Sequence, residues 1–328
     1  MKKLISQFTD QLADALNIGD NAQLVKSKKE IQNIVITGLG GSGIGGKIVA
    51  QLVKDEIKVP ITINNGYKLP AFVSEKTLVI VSSFSGNTEE TLEAMEIAQK
   101  RGAEIACITS GGKVLETAIT NNYNHIVLPS CHSPRAMLTY SLTQQFYLLH
   151  HYGFIGNSFK EAIQNAIKTI DSNIESIKKE ALKVAEGLKG KTAIIYSEEG
   201  YEGVSVRLRQ QLNENAKVLA WHHYLPEMNH NELVGWAGGK DEYAVILFRN
   251  DTDYSRTQRR MEISKEVIEK YTQTHFEIWS KGNNAIEKSL YLIMLGDWIS
   301  IYLAEIRAVD PIEIKVINHL KGELGKLS

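Results

Sequence analysis

Two stretches combine glycines and hydroxyls in a way that suits a small anion. The first, "ITGLGGSGIGGK" from Ile36 to Lys47, places Gly41 and Ser42 in a glycine-rich segment after an apolar run. Glycines there let backbone N–H groups approach an anion closely, and a following helix adds the positive end of its dipole. The second, "VSSFSGNTEET" from Val81 to Thr91, places Ser83, Ser85 and Thr88 where a strand passes into a helix. Their hydroxyls and the free N–H groups of the helix start can converge on one terminal phosphate, though a plain helix cap with incidental serines also fits. Three further stretches are polar breaks in apolar surroundings: "SPRA" with Arg135, "QLNENAK" with Glu214 and "PEMNHNE" with His230. They offer a guanidinium for a ligand oxygen, a carboxylate for proton transfer and an imidazole that titrates near neutrality. Each also has a plainer reading, as a surface arginine, a solvated helix carboxylate and a structural histidine.

Hydrophobic periodicity supplies the elements that must position these groups. An amphipathic helix near Leu4 to Leu16 leads into "NIVITGLG", a buried strand that feeds a glycine-rich turn and the helix "GKIVAQLVKD". "VPITINNG", "TLVIVSSFSG", "EIACITSGG" and "HIVLPS" continue as strands, with the helix "TEETLEAMEIAQKRG" between them. Arg135 follows Pro134 at the end of the last of these strands. From about Ser141 to Lys189 the pattern is helical and charged, as in a connector packed on one face. A second alternating set follows in "KTAIIYSEE", a helix around Val204 to Asn215, "KVLAWHHY", "EYAVILFRN" and "HFEIWS", then an apolar helix and the tail "DPIEIKVINHLKGEL". The pattern predicts an α/β protein of two doubly wound parallel-sheet subdomains with flanking helices: residues 1–150, a helical connector at 151–189, and residues 190–328.

Composition narrows the function classes. The 328 residues are 43% hydrophobic and 23% charged, with a formal net charge of -1, so no global field draws in nucleic acid or an anionic membrane. Cys107 and Cys131 stand in no metal or redox spacing, which fits thiols in a reducing compartment. The N-terminus has helical spacing among polar residues, unlike a signal peptide. The apolar stretch "SLYLIMLGDWISIYLAEI" carries Asp297 at its centre, which favours a buried helix over a membrane span.

Other phosphate chemistries fit less well. "GLGGSG" satisfies G-x-G-x-x-G, but the position where a dinucleotide site wants a ribose-binding acid falls at Asn64 and Asn65. A P-loop would need Gly-Lys-Ser/Thr, which is absent. "WHHYLPEMNH" gathers histidines, yet Pro226 breaks the helix that zinc ligands at i and i+4 require, and His222 and His223 alternate across a strand. No cofactor or metal is expected.

"GGSG" followed some forty residues later by "SSFSGNTEET" resembles the sugar isomerase (SIS) domain, which binds phosphosugars. "GGSGIGG", "SFSGNTEET", "SPRAMLTY", "LNENAK", "PEMNHNE", "GDWISIYLAE" and "DPIEIKVINHLK" resemble, in order, the bifunctional phosphoglucose/phosphomannose isomerases, built from two SIS halves. The resemblance implies interconversion of glucose 6-phosphate and fructose 6-phosphate through a cis-enediolate, with mannose 6-phosphate as a further substrate, in cytoplasmic glycolysis and gluconeogenesis. It makes Glu214 the C1/C2 proton shuttle, His230 the ring-opening group, Arg135 the partner of the enediolate and Lys321 a lysine near the sugar ring. It also implies a homodimer in which His230 comes from the partner chain. One departure concerns the mannose reaction: members commonly carry a threonine after the C-terminal Asp-Pro, where this chain has Ile312 and Ile314. The rival readings are a non-catalytic phosphosugar sensor and an isomerase of another phosphosugar. Sensors of that kind usually join one SIS domain to a DNA-binding helical module, whereas this sequence has two α/β halves and no basic recognition helix.

Overall fold

The computed structural model describes residues 1–326. The first half runs α1 (Lys2–Ser6), α2 (Phe8–Asp20), β1 (Asn33–Thr37), α3 (Gly40–Leu52), β2 (Ile61–Asn64), β3 (Thr77–Ser82), α4 (Glu89–Lys100), β4 (Glu104–Thr109), α5 (Gly112–Thr120), β5 (Asn124–Val127) and α6 (Leu138–His151). After the long α7 (Ser158–Gly187), the second half runs β6 (Thr192–Glu198), α8 (Glu202–Ala216), β7 (Ala220–Leu225), α9 (Glu232–Gly235), β8 (Tyr243–Arg249), α10 (Ser255–Ile268), β9 (His275–Trp279), α11 (Ala285–Ile306) and α12 (Lys315–Leu324).

Two parallel sheets result, ordered β2-β1-β3-β4-β5 and β7-β6-β8-β9. Near-continuous apolar runs such as "TLVIVS" in β3 are buried along their whole length, as strands covered on both faces must be. One apolar cluster joins the inner faces of both sheets to α2, α3, α6, α7, α8 and α11. Separate clusters seal the outer faces, under α4 and α5 in the first half and around Trp236 and Met261 in the second.

The long helices follow from their patterns. α7 buries Phe159, Ile163, Ala166, Ile170, Ile177, Ala181 and Val184, a stripe at helical spacing that packs on α11. α11 starts at Asn284, whose Oδ1 accepts from the Glu287 N–H at 3.0 Å. It is long and apolar enough to cross a membrane, but 83% of that window is buried inside the protein, so it is a core helix.

Three local expectations differ from the structure. The N-terminal helix is broken at Gln7 into α1 and α2. The glycine-rich segment is not a turn before a helix: α3 begins at Gly40 itself, with φ +54 at that residue, so Gly41 and Ser42 lie in its first turn. Arg135 does not end a strand; it sits in a 3-10 turn, Pro134–Ala136, between β5 and α6.

Candidate active site

In the first sheet the strand order reverses between β1 and β3, and the crevice beyond the C-terminal ends of such strands is where ligands bind in open α/β sheets. α3 leaves β1 there and the Ser83–Thr88 loop leaves β3. Neither α3 nor α4 has a side-chain cap, so their first N–H groups are free to meet an anion. The loop and helix are tied together by hydroxyls. Ser42 Oγ accepts from the Phe84 N–H at 3.2 Å, Ser83 Oγ lies 3.1 Å from Thr88 Oγ1, and Ser83 Oγ accepts from the Gly86 N–H at 3.2 Å. Ser85 is exposed, and its Oγ accepts from the Asn87 N–H.

Asn65, which stands where a ribose-binding acid would be, closes the β1–α3 connection instead, its Nδ2 donating to the Gly38 carbonyl at 2.6 Å. A Cβ on Gly43 would stand 2.4 Å from that carbonyl oxygen and 2.6 Å from the same amide nitrogen. The close approach therefore demands glycine there.

The second half places a charged group against this cradle. Glu214 lies in the last turn of α8, and its Oε2 is 3.4 Å from Nη1 of Arg135. Glu214 is one-third exposed while Arg135 is nearly buried, at 8%. Gly41 abuts the same turn, since a Cβ there would stand 3.8 Å from the Arg135 Cα. The cradle and the Glu214–Arg135 pair are thus neighbours.

Arg135 is held on several sides. Its Nε donates to Asn215 Oδ1 at 2.8 Å, and its Nη2 donates to the Pro311 carbonyl and, at 3.4 Å, to that of Ile312. Arg207 donates to the Arg135 carbonyl at 2.6 Å and pairs with Asp297 at 2.9 Å, while Gln211 also donates to Asp297, at 3.0 Å. Asn215 Nδ2 reaches Ser300 Oγ, which itself donates to the Asp297 carbonyl. Burial pulls the Arg135 guanidinium below its ordinary range, opposed by the nearby Glu214 charge. Burial pushes the Asp297 carboxyl upward against the pull of Arg207.

Lys217, in the left-handed conformation that ends α8, donates to the Glu214 and Glu313 carbonyls at 2.6 and 2.7 Å. Burial, and then the Arg135 charge, lower its pKa. Together Arg135 and Lys217 hold the segment before α12 against the site.

His230 is not brought to Glu214 within one chain. α8 runs antiparallel to the strands it connects, so Glu214 lies near the start of β7, whereas His230 ends the 3-10 turn Glu227–His230 beyond that strand's far end. Six residues of strand separate them by about 20 Å. His230 is exposed, as is Lys321 on α12.

Sequence reasoning missed Asn215, Arg207, Lys217 and the role of Asp297. Asn215 was signalled only by standing beside Glu214 in "LNENAK". A cavity of about 410 Å³ between α3 and α8 adds Gly40, Lys47, Arg209, Gln210 and His222. Gln210 could have been found by helical spacing, one turn before Glu214. His222 faces Glu202 at 3.5 Å in that cavity, while the His223 ring accepts from the Tyr224 N–H.

The second sheet has its own crevice, between β6 and β8, and it is acidic. Glu198 ends β6, Asp251 and Asp253 follow β8, and the Tyr254 N–H donates to Glu198. Asp253 accepts from the Asn250 N–H at 3.1 Å and from Nδ2 at 2.9 Å, and burial pushes its carboxyl up to about 6.

Two parallel sheets in one order, with two uncapped helix starts and a cluster of hydroxyls at the first switch point, define the class: a double SIS-type α/β protein. A SIS domain profile matches residues 27–152, and a profile of the bacterial phospho-glucose isomerase C-terminal SIS domain matches 177–324. The chain is 36% identical to the bifunctional phosphoglucose/phosphomannose isomerase of Caldicellulosiruptor bescii, covering 100% of this chain and 99% of that one. It is 34% identical to the D-glucosamine-6-phosphate 4-epimerase of Sulfolobus acidocaldarius, covering 90% and 92%. A solved C-terminal domain of glucosamine-fructose-6-phosphate aminotransferase from Francisella tularensis shares the fold, with a TM-score of 0.76 at 14% identity over 94% of this chain and 97% of that one. This chain belongs to the bifunctional phosphoglucose/phosphomannose isomerase family.

Proposed function

We propose that the chain interconverts glucose 6-phosphate and fructose 6-phosphate, and also mannose 6-phosphate, by moving a proton between C1 and C2 through a cis-enediolate. The observation that carries this reading is the Glu214–Arg135 pair beside the hydroxyl cradle. The 6-phosphate is held by Ser42, Ser83, Ser85 and Thr88 with the free N–H groups of α3 and α4 and the Gly41 backbone. Binding energy from that non-reacting end holds the open-chain sugar against Glu214. Glu214 takes the C2 proton and returns it at C1, while the Arg135 guanidinium faces the oxygen on which negative charge develops. Lys321 lies beside the sugar ring.

The working unit is a homodimer in which His230 of the second copy opens the ring. The separation of Glu214 and His230 along β7 supports this, because two antiparallel copies bring each histidine to the other's carboxylate. A reducing cytoplasm suits the two free thiols, of which Cys107 is buried with its pKa pushed up to about 12.

Glucose 6-phosphate incubated with the protein in deuterium oxide is expected to exchange its C2 hydrogen with solvent. A Glu214→Gln variant with undiminished exchange would sink the mechanism. The epimerase relative favours a second reading, an amino-sugar 6-phosphate substrate. Turnover of glucosamine 6-phosphate, with the hexose phosphates left unchanged, would establish it instead.

A further inference from the structure

The outer face of the second sheet carries a box of aromatic rings for which the isomerase reaction has no use. Trp221 on β7, Tyr243 on β8 and Trp236, just after α9, line a cavity of about 190 Å³. β6 runs between β7 and β8, and its Ile194, in register with Trp221, lines the same cavity. The rings are not stacked. Tyr243 stands at 74° to Trp221, with centroids 5.4 Å apart, and at 87° to Trp236, with centroids 6.0 Å apart, so the rings form walls. Part of the rim is bare backbone: a Cβ on Gly235 or Gly238 would meet nothing within 4 Å. The space exceeds the roughly 150 Å³ in which an apolar cavity takes up benzene.

One carboxylate ties the walls together. Glu232 accepts from the Tyr196 hydroxyl and, at 3.1 Å, from the Trp221 Nε1–H. The Trp236 Nε1–H donates to the same Tyr196 hydroxyl at 3.0 Å. Burial, and then the Glu232 charge, push the Tyr196 hydroxyl pKa upward, which keeps it a donor. Both tryptophans are thereby fixed, and the box is preformed. All of these donors are neutral. Among the described residues no lysine, arginine or histidine pairs with Glu232. The surrounding segment, residues 226–242, holds four acids and one lysine.

Aromatic faces attract a cation through their quadrupole, most strongly where water is excluded. Three ring walls beside an unpaired carboxylate therefore suit a positive charge and disfavour an anion. The cation is of a particular kind. The Glu232 oxygen in the box already takes two donors, so ammonium N–H groups find little to donate to, whereas a quaternary ammonium needs no hydrogen bond there.

We propose that the Trp221–Trp236–Tyr243 box is a binding site for a small quaternary ammonium, a trimethylammonium head of the choline kind. It lies on the face of the second sheet away from α8, since His222, next to Trp221 on β7, faces Glu202 of α8. Choline chloride titrated into the whole chain by calorimetry, against sodium chloride at the same ionic strength, is expected to fill one saturable site with a parallel change in tryptophan fluorescence. The neutral isostere 3,3-dimethylbutanol is expected to bind about tenfold more weakly, as is choline to Glu232→Gln, which keeps the shape and removes the charge. Gly235 has helical backbone angles, φ −59 and ψ −24, so Gly235→Leu can fill the open space without strain. That variant is expected to abolish binding with an unchanged melting curve. A neutral alcohol that binds as tightly as choline would reduce the box to an apolar pocket and overturn the proposal. Choline binding untouched by both variants, or no saturation beyond that seen with sodium chloride, would overturn it too.

Discussion

The two sheets run their strands in the same order, 2-1-3-4, with a fifth strand added to the first, yet their crevices are furnished in opposite ways. The first is lined by hydroxyls and two uncapped helix starts, with no acid among Ser42, Ser83, Ser85 and Thr88. The second is closed by Glu198, Asp251 and Asp253, with Asp251 paired to the buried Lys288 ammonium. Its useful contribution comes from the other end of α8, where Glu214 leans toward the first half and meets Arg135. Equivalent folds thus carry different groups: the first half gathers the hydroxyls and Arg135, and the second brings the Glu214 carboxylate against that guanidinium.

The sharpest way to break this contrast is Glu214→Gln. It is expected to lower kcat about 10³-fold or more, as loss of a general base does, with little change in stability because the residue is one-third exposed. Steady-state kinetics and a thermal melt check both parts. Next is Asp297→Ala, which strands the Arg207 guanidinium in the core. It is expected to cost about 3–5 kcal/mol of stability in denaturant unfolding and to lower kcat with it, since Arg207 also braces the Arg135 turn.

The acidic crevice gives a pH signature. The folded-state pKa of Asp253, about 6, lies above the ordinary carboxyl value, so the folded protein binds more protons between about pH 4 and 6. Stability therefore falls as pH rises through that window, by about 3 kcal/mol at most, and the loss persists above it. Asp253→Asn, compared with wild type by urea unfolding at pH 4 and pH 8, is expected to gain relative stability at the higher pH. The smallest effect belongs to the hydroxyls of the first half. Ser83→Ala and Thr88→Val each remove one hydroxyl and are expected to raise KM about tenfold, with kcat nearly unchanged. If either instead abolished kcat, the division between holding and chemistry would be wrong.

Legibility in the sequence followed the same division. The strands could be read because their signal is local: "NIVIT" and "TLVIVS" are apolar runs bounded by turn residues, and the cradle lies in short segments directly after them. Glu214 and Arg135 could be picked out as polar breaks, and the family resemblance supplied their roles. Their pairing could not be read, because 79 positions separate them and only the packing of α8 beside the Pro134–Ala136 turn makes them neighbours. The start of α3 was misplaced for a local reason, since glycines usually punctuate helices and here a close approach to Gly38 and Asn65 requires them inside one.

By itself, then, the sequence determined two α/β halves, and it marked the hydroxyl-rich segments of the first and the polar breaks at Glu214 and His230 in the second as candidates. Periodicity and turn chemistry are written in neighbouring residues. Tertiary structure alone decided that Arg207 and Asp297 brace Arg135, that the second crevice is acidic, and that Glu214 and His230 lie at opposite ends of β7. Those are relations between side chains distant in the chain, and their distance and burial exist only once the helices and sheets have packed.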